Sequence, residues 1–170
     1  MAAAVGEAPA SFVDLGTGGG VPGLPLLLTW PRARGILVES RRQRCRFLTE
    51  ALSALHLADR AEVECGRAEA LARRPDQRQT AELVVARSFG PPAVTAECAV
   101  AFLAPGGLAV IAEPPDPEAS RWPDRELAAL GFTLEGTGRA GAFGFARLRR
   151  RGPLDERWPR RMPAKRPLWS

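Results

Sequence analysis

The chain has 170 residues, of which 45% are apolar and 25% charged, enough for one compact domain with a real core. Its 24 basic residues outweigh 19 acidic ones for a net charge of +5, but the excess is local: residues 147–170 hold nine basic and two acidic side chains, so residues 1–146 are slightly acidic. This excludes a uniformly basic nucleic-acid coat, a collagen-like repeat and an acidic disordered chain, and describes a near-neutral body with a basic C-terminal strap.

The small and polar residues 1–11 predict a flexible lead-in. Phe12–Leu15 is a short apolar run that ends in a glycine cluster, the pattern of a buried strand entering a tight turn. Pro22 suits a first helical turn, where its missing N–H costs nothing, and Leu24–Trp30 continues that helix up to Pro31. Gly35–Ser40 is the next strand, with Glu39 near its end. In the helix from Arg41 to about Leu55, Cys45, Leu48, Leu52 and Leu55 recur on one apolar face, while Arg41, Arg42, Arg44 and Glu50 suit solvent. His56 lies at the end of that helix, where it stabilises the C-terminus rather than serving catalysis.

Ala61–Cys65 predicts a third strand, Glu69–Arg73 a short helix and Pro75–Thr80 a polar loop. Glu82–Ala86 is a fourth strand. Pro92–Leu103 is a helix stopped by Pro105-Gly106-Gly107, and Leu108–Ala112 a fifth strand. Asp124–Leu130 makes a helix capped by Gly131. Phe132–Glu135 and Ala142–Arg149 follow as an antiparallel hairpin, and residues 150–170, with four prolines and seven basic side chains, as an extended tail.

Strands alternating with helices predict an α/β fold: a doubly wound, mostly parallel sheet with an antiparallel terminal strand. Residues 12–150 form that domain, and 151–170 pack on or near it. Cys45, Cys65 and Cys98 are odd in number and form no metal-ligand spacing, so they read as separate buried thiols in a reducing compartment, with neither disulfide nor metal expected. The N-terminus lacks a basic segment followed by a long apolar one, and no apolar run is long enough to span a bilayer. A soluble cytoplasmic protein without a membrane partner is expected.

The strongest chemical signal is the first strand-to-helix turn, Asp14-Leu15-Gly16-Thr17-Gly18-Gly19-Gly20-Val21-Pro22-Gly23. Glycines let backbone approach a ligand closely, and this turn falls at the carboxyl ends of the strands, where open α/β sheets bind ligands. Glu39, about twenty residues on, is placed to accept hydrogen bonds from ribose hydroxyls. The spacing is G-x-G-x-G rather than G-x-G-x-x-G, because residue 21 is Val. It resembles motif I of the class I, Rossmann-like methyltransferases that use S-adenosyl-L-methionine, a cofactor with ribose and adenine but no pyrophosphate.

The resemblance narrows with Val21-Pro22-Gly23-Leu24-Pro25 after that motif. Further matches are Glu39–Leu48, Gly66-Arg67-Ala68-Glu69, Ala86-Arg87-Ser88-Phe89 and the closing Trp158–Leu168. Together these resemble the bacterial small-subunit (16S) rRNA guanine-N7 methyltransferase family, also called glucose-inhibited division protein B, over residues 12–168. The resemblance implies that Gly16, Gly18 and Val21 line the methionine and ribose end of the cofactor and that Glu39 holds the ribose. It implies that Ala68 and Glu69 meet the adenine, Arg87 walls the active site, and Asp14 orders the loop or reaches the cofactor amino group through water. It implies small-subunit rRNA or the 30S particle as the partner; nothing in the sequence demands more than a monomer.

Guanine N7 carries a free lone pair, so no catalytic base is needed and none is assigned; alignment of N7 with the methyl group supplies the acceleration, and Arg87 is the nearest catalytic candidate. Arg160, Arg161, Lys165 and Arg166 of the tail are the candidate RNA contacts, since guanidinium groups bind phosphates and stack on unpaired bases. Two departures stand out. Family members carry a helical segment of some tens of residues before the glycine turn, where this sequence has eleven residues before Phe12. They also have Lys-Gly after strand five, where Ala112-Glu113-Pro114-Pro115 stands. An RNA- or ribosome-binding paralogue that keeps the fold without catalysis is the alternative reading, and a small-molecule methyltransferase a third.

Overall fold

The computed structural model describes residues 1–169. Seven strands form one sheet in the order β3-β2-β1-β4-β5-β7-β6. β1 (Ser11–Leu15), β2 (Arg34–Glu39), β3 (Ala61–Cys65), β4 (Ala81–Ala86) and β5 (Leu103–Glu113) run parallel. β7 (Phe143–Arg150) is antiparallel to both of its neighbours, β5 and β6 (Phe132–Ala140), so the chain's last strand enters the sheet between two earlier elements.

Alternation along the strands sorts the core onto two faces. Phe12, Leu83, Val85, Leu108 and Val110 face one side, where α2 (Gly23–Thr29) and α3 (Arg42–Ala54) cover them with Leu26, Leu27, Leu48 and Leu52. Val13, Leu15, Val84, Ala86, Ala109 and Ile111 face the other side. They are covered by α4 (Ala68–Leu71), α5 (Pro92–Phe102) and α6 (Asp124–Ala129). Every residue of α5 from Ala93 to Phe102 is buried, because β-sheet lies beneath the helix and the C-terminal tail lies over it. No helix among the described residues is long and apolar enough to cross a membrane.

Several elements differ from expectation. β5 begins at Leu103 rather than Leu108, because Leu103 already pairs with Ala81 before the Pro-Gly-Gly segment. β6 runs on to Ala140 through its glycines, held by pairing with β7 across a bulge at Glu135, and the hairpin closes on Gly141 and Ala142. The start of the expected lead-in is packed: α1 (Ala2–Val5) buries Ala4 and Val5, and the Arg147 guanidinium donates to both of their carbonyls. His56 follows α3 with φ +54, and the Leu57 amide returns to the Leu52 carbonyl, so the histidine occupies the left-handed position that ends the helix.

The cysteine expectation is corrected. Cys45 and Cys65 are joined in a disulfide with Cα atoms 5.8 Å apart, and Cys65 is exposed. Parallel pairing sets Cys65 beside Glu39, and the first turn of α3 folds Cys45 back over the same point. Two residues twenty apart in sequence thus meet through tertiary structure that their spacing did not reveal. Cys98 remains a free buried thiol, and burial pushes its pKa well above the usual thiol range.

Candidate active site

Strand order reverses between β1 and β4, and the glycine turn leaves β1 at that reversal. Gly16, Gly18 and Gly20 have φ of +64°, +62° and +92°, a region L side chains rarely adopt. A Cβ on Gly16 would also lie 2.7 Å from the Phe89 ring. The Thr17 amide bonds the Val38 carbonyl, which ties the turn to β2. Behind it, Asp14 is wholly buried, and its Oδ2 accepts the Gly23 amide at 2.8 Å. A side chain at Gly23 would meet that oxygen at 2.8 Å and Leu37 at 2.3 Å, so glycine is what lets α2 start against the carboxylate. Burial pushes the Asp14 pKa from 3.8 up to about 6.

Two cavities open on either side of Phe89. The first, about 300 Å³, is bordered by Gly16, Glu39, Ala68, Glu69, Phe89 and Val94. Glu39 Oε1 accepts the Ser40 and Arg41 amides at 2.7 and 2.8 Å, while Oε2 has, among the described residues, only Arg44 at 3.6 Å. The amides fix the carboxylate and leave Oε2 available to a ligand diol. Ala68 and Val94 give the same cavity apolar surface, and the turn presents backbone without Cβ atoms. This donor and acceptor set fits an adenosyl group. The Glu69 carboxylate is buried and held by Arg67 Nε at 2.6 Å.

The second cavity, about 670 Å³, lies beyond the ends of β4 and β5 and is lined by Val21, Arg87, Phe89, Glu113, Arg121 and Phe143, among others. Arg87 is exposed there. Glu113 stands where a basic residue was expected, but its carboxylate is ion-paired with Arg121, a residue sequence reasoning did not single out. The cavity therefore keeps a second guanidinium. Burial raises the Glu113 pKa, and the charge of Arg121 opposes that rise.

Of the residues expected at the cofactor, Gly16, Glu39, Ala68 and Glu69 border the first cavity, and Val21 and Arg87 the second. Gly18 shapes the turn beneath Arg44, and Asp14 lies behind the turn with its Oδ2 on the Gly23 amide. Arg161, Lys165 and Arg166 are exposed, whereas the Arg160 guanidinium grips both oxygens of Glu97, at 2.6–3.1 Å. Phe89 and Ser88 at the junction of the cavities went unrecognised as site residues. Ser88 has φ +54°, a strain without a sequence signature.

Residues 2–118 match the family described as GidB, rRNA small subunit methyltransferase G. The chain belongs to this family. Ribosomal RNA small subunit methyltransferase G of Deinococcus deserti is 38% identical over 93% of the chain and 68% of that protein. The protein of the same name from Pelotomaculum thermopropionicum is 36% identical over 93% of the chain and 70% of its own length. Among solved structures, the antibiotic-resistance methyltransferase Kmr superposes with a TM-score of 0.69 over 85% of this chain and 87% of that one at 16% identity, a likeness of fold. Family and fold agree with the sequence reading, and a non-catalytic paralogue is not favoured.

Proposed function

We propose that this chain transfers a methyl group from S-adenosyl-L-methionine to N7 of a guanine in small-subunit rRNA, acting as a cytoplasmic monomer. The observation that carries the reading is the pair of cavities meeting at Phe89, one suited to an adenosyl group and one carrying arginines. When bound, the cofactor supplies a methyl group made electrophilic by its sulfonium.

The rest is done by the chain's own residues. Glu39 Oε2 receives the ribose hydroxyls, with Oε1 locked by two amides so that the carboxylate needs no reorganisation. Ala68 and Glu69 flank the adenine; Gly16, Gly18 and Val21 bring backbone close to the methionine end. Arg87 and Arg121 hold phosphates of the target nucleotide at the second cavity, and Phe89 and Phe143 offer aromatic faces to an unstacked base. Guanine N7 carries a free lone pair, so methylation there would require no proton to be removed and none of these residues would have to act as a base. Alignment and exclusion of water are then the main contributions of the protein. Arg161, Lys165 and Arg166 extend the phosphate-binding surface.

The test is transfer of labelled methyl from S-adenosyl-L-methionine to 30S particles or rRNA from cells lacking this modification. Incorporation into RNA supports the reading. Clear cofactor binding with no label on RNA contradicts it, and RNA binding that survives Gly18→Asp without any transfer supports the non-catalytic alternative.

A further inference from the structure

Residues 151–169 are not a loose basic tail. They cross the α4–α5–α6 face without joining the sheet, so their carbonyls need partners from side chains. Arg73 Nη1 donates to the Pro159 carbonyl at 2.8 Å and Arg78 Nη1 to the Trp158 carbonyl at 2.6 Å. Trp158 is buried against the core, and its Nε1 donates to the Ala129 carbonyl at 3.3 Å. The firmest hold is two residues on: Glu97 is fully buried on α5 and accepts the backbone amide of Arg160 at 2.7 Å as well as its guanidinium. All the hydrogen bonds to the Glu97 carboxylate among the described residues come from Arg160. A buried carboxylate left without that partner is strongly destabilising, so the docked course of the tail is built into the core.

Docking has a consequence at the cofactor site. Beyond Arg160 the chain makes a 3₁₀ turn, Pro163–Lys165, and Pro163 and Ala164 border the same 300 Å³ cavity as Glu39, Ala68 and Glu69. Pro163 is buried, and Ala164 is exposed at the mouth. We infer that Pro163 and Ala164 form the outer wall of the adenine subsite and that the Glu97–Arg160 pair is the positioning latch that keeps them there. The tail thereby contributes to cofactor binding, and Arg161, Lys165 and Arg166 are presented to RNA from the same segment that closes over the adenine.

This inference rests on the cofactor assignment above, and the test separates the two. S-adenosylhomocysteine, adenosine and homocysteine are titrated calorimetrically into the full chain and into Ala164→Trp, which places a bulky ring at the cavity mouth from an exposed position. The wall predicts that Ala164→Trp weakens S-adenosylhomocysteine and adenosine about ten-fold or more with an unchanged melting temperature. It also predicts that S-adenosylhomocysteine and adenosine, but not homocysteine, slow trypsin cleavage after Arg161 and Lys165 several-fold. A double variant, Glu97→Gln with Arg160→Gln, removes both charges together and should weaken the two adenosyl ligands while leaving the glycine turn intact. If the double variant does not fold, Ala164→Trp and the protection experiment decide. Equal affinity of wild type and Ala164→Trp, with cleavage indifferent to ligand, overturns the wall while the cofactor assignment stands. No binding of S-adenosylhomocysteine by the wild type overturns both.

Discussion

Asp14→Asn is the most searching single perturbation of the site's framework. The carboxyl lies fully buried behind the glycine turn, and burial moves its pKa from 3.8 to about 6. A displacement of that size corresponds to about 3 kcal/mol between the two protonation states. The folded pKa is raised, so the associated stability is fully present below the unfolded value of 3.8 and is lost as pH climbs through about 6. Asparagine keeps an oxygen for the Gly23 amide, now held at 2.8 Å, but does not titrate. Urea unfolding of both proteins at pH 4, 5, 6 and 7 isolates the effect. The variant should gain on the wild type by about 2.5 kcal/mol between pH 4 and pH 7, most of it before pH 6.5. In a protein of this size that is roughly 5–10 °C in melting temperature. A stability difference that stays flat with pH refutes the argument, because Asp14 would then ionise in the fold as easily as in water.

Gly23→Ala should cost about 1–3 kcal/mol by thermal unfolding, since its Cβ would press on Leu37 and Asp14, while Gly19→Ala, whose Cβ meets nothing within 4 Å, should be tolerated. Glu39→Gln retains the Oε1 acceptor for Ser40 and Arg41 but removes the charge offered to the ribose; calorimetry should show S-adenosylhomocysteine weakened about ten- to a hundred-fold with little change in stability. Replacing Arg161, Lys165 and Arg166 with Gln should flatten the salt dependence of RNA binding by about 2 in log–log slope without destabilising the protein. Arg160→Gln should do the reverse, costing on the order of 3 kcal/mol of stability by stranding Glu97.

Residues whose roles are local were legible before the fold was known. The glycine turn is encoded by composition, and β1, β2 and β4 by short apolar runs, so the crevice and the position of Glu39 followed from chain order alone. Arg160 was misleading for a physical reason: a guanidinium in a basic tail looks the same whether it meets phosphate or a buried carboxylate 63 residues away. The Cys45–Cys65 pair, the Arg121 partner of Glu113 and the return of Pro163 to the cofactor cavity are likewise products of tertiary approach. Length misjudged β5 and β6 because glycine and proline mark turns statistically, whereas cross-strand pairing with β4 and β7 overrides them here. The charge excess of residues 147–170 thus divides into arginines that anchor strand and tail, among them Arg147, Arg150 and Arg160, and exposed cations that face outward.

The most direct measurement is chemical mapping of N7-methylguanosine. Small-subunit rRNA from cells lacking the modification is incubated with the full chain and S-adenosyl-L-methionine, reduced, cleaved at N7-methylated sites with aniline and read by primer extension. One new cleavage at a guanine is expected, absent without cofactor and lost with Glu39→Gln at limiting cofactor. Methyl incorporation without cleavage at guanine, or none at all from a protein that binds S-adenosylhomocysteine, would contradict it.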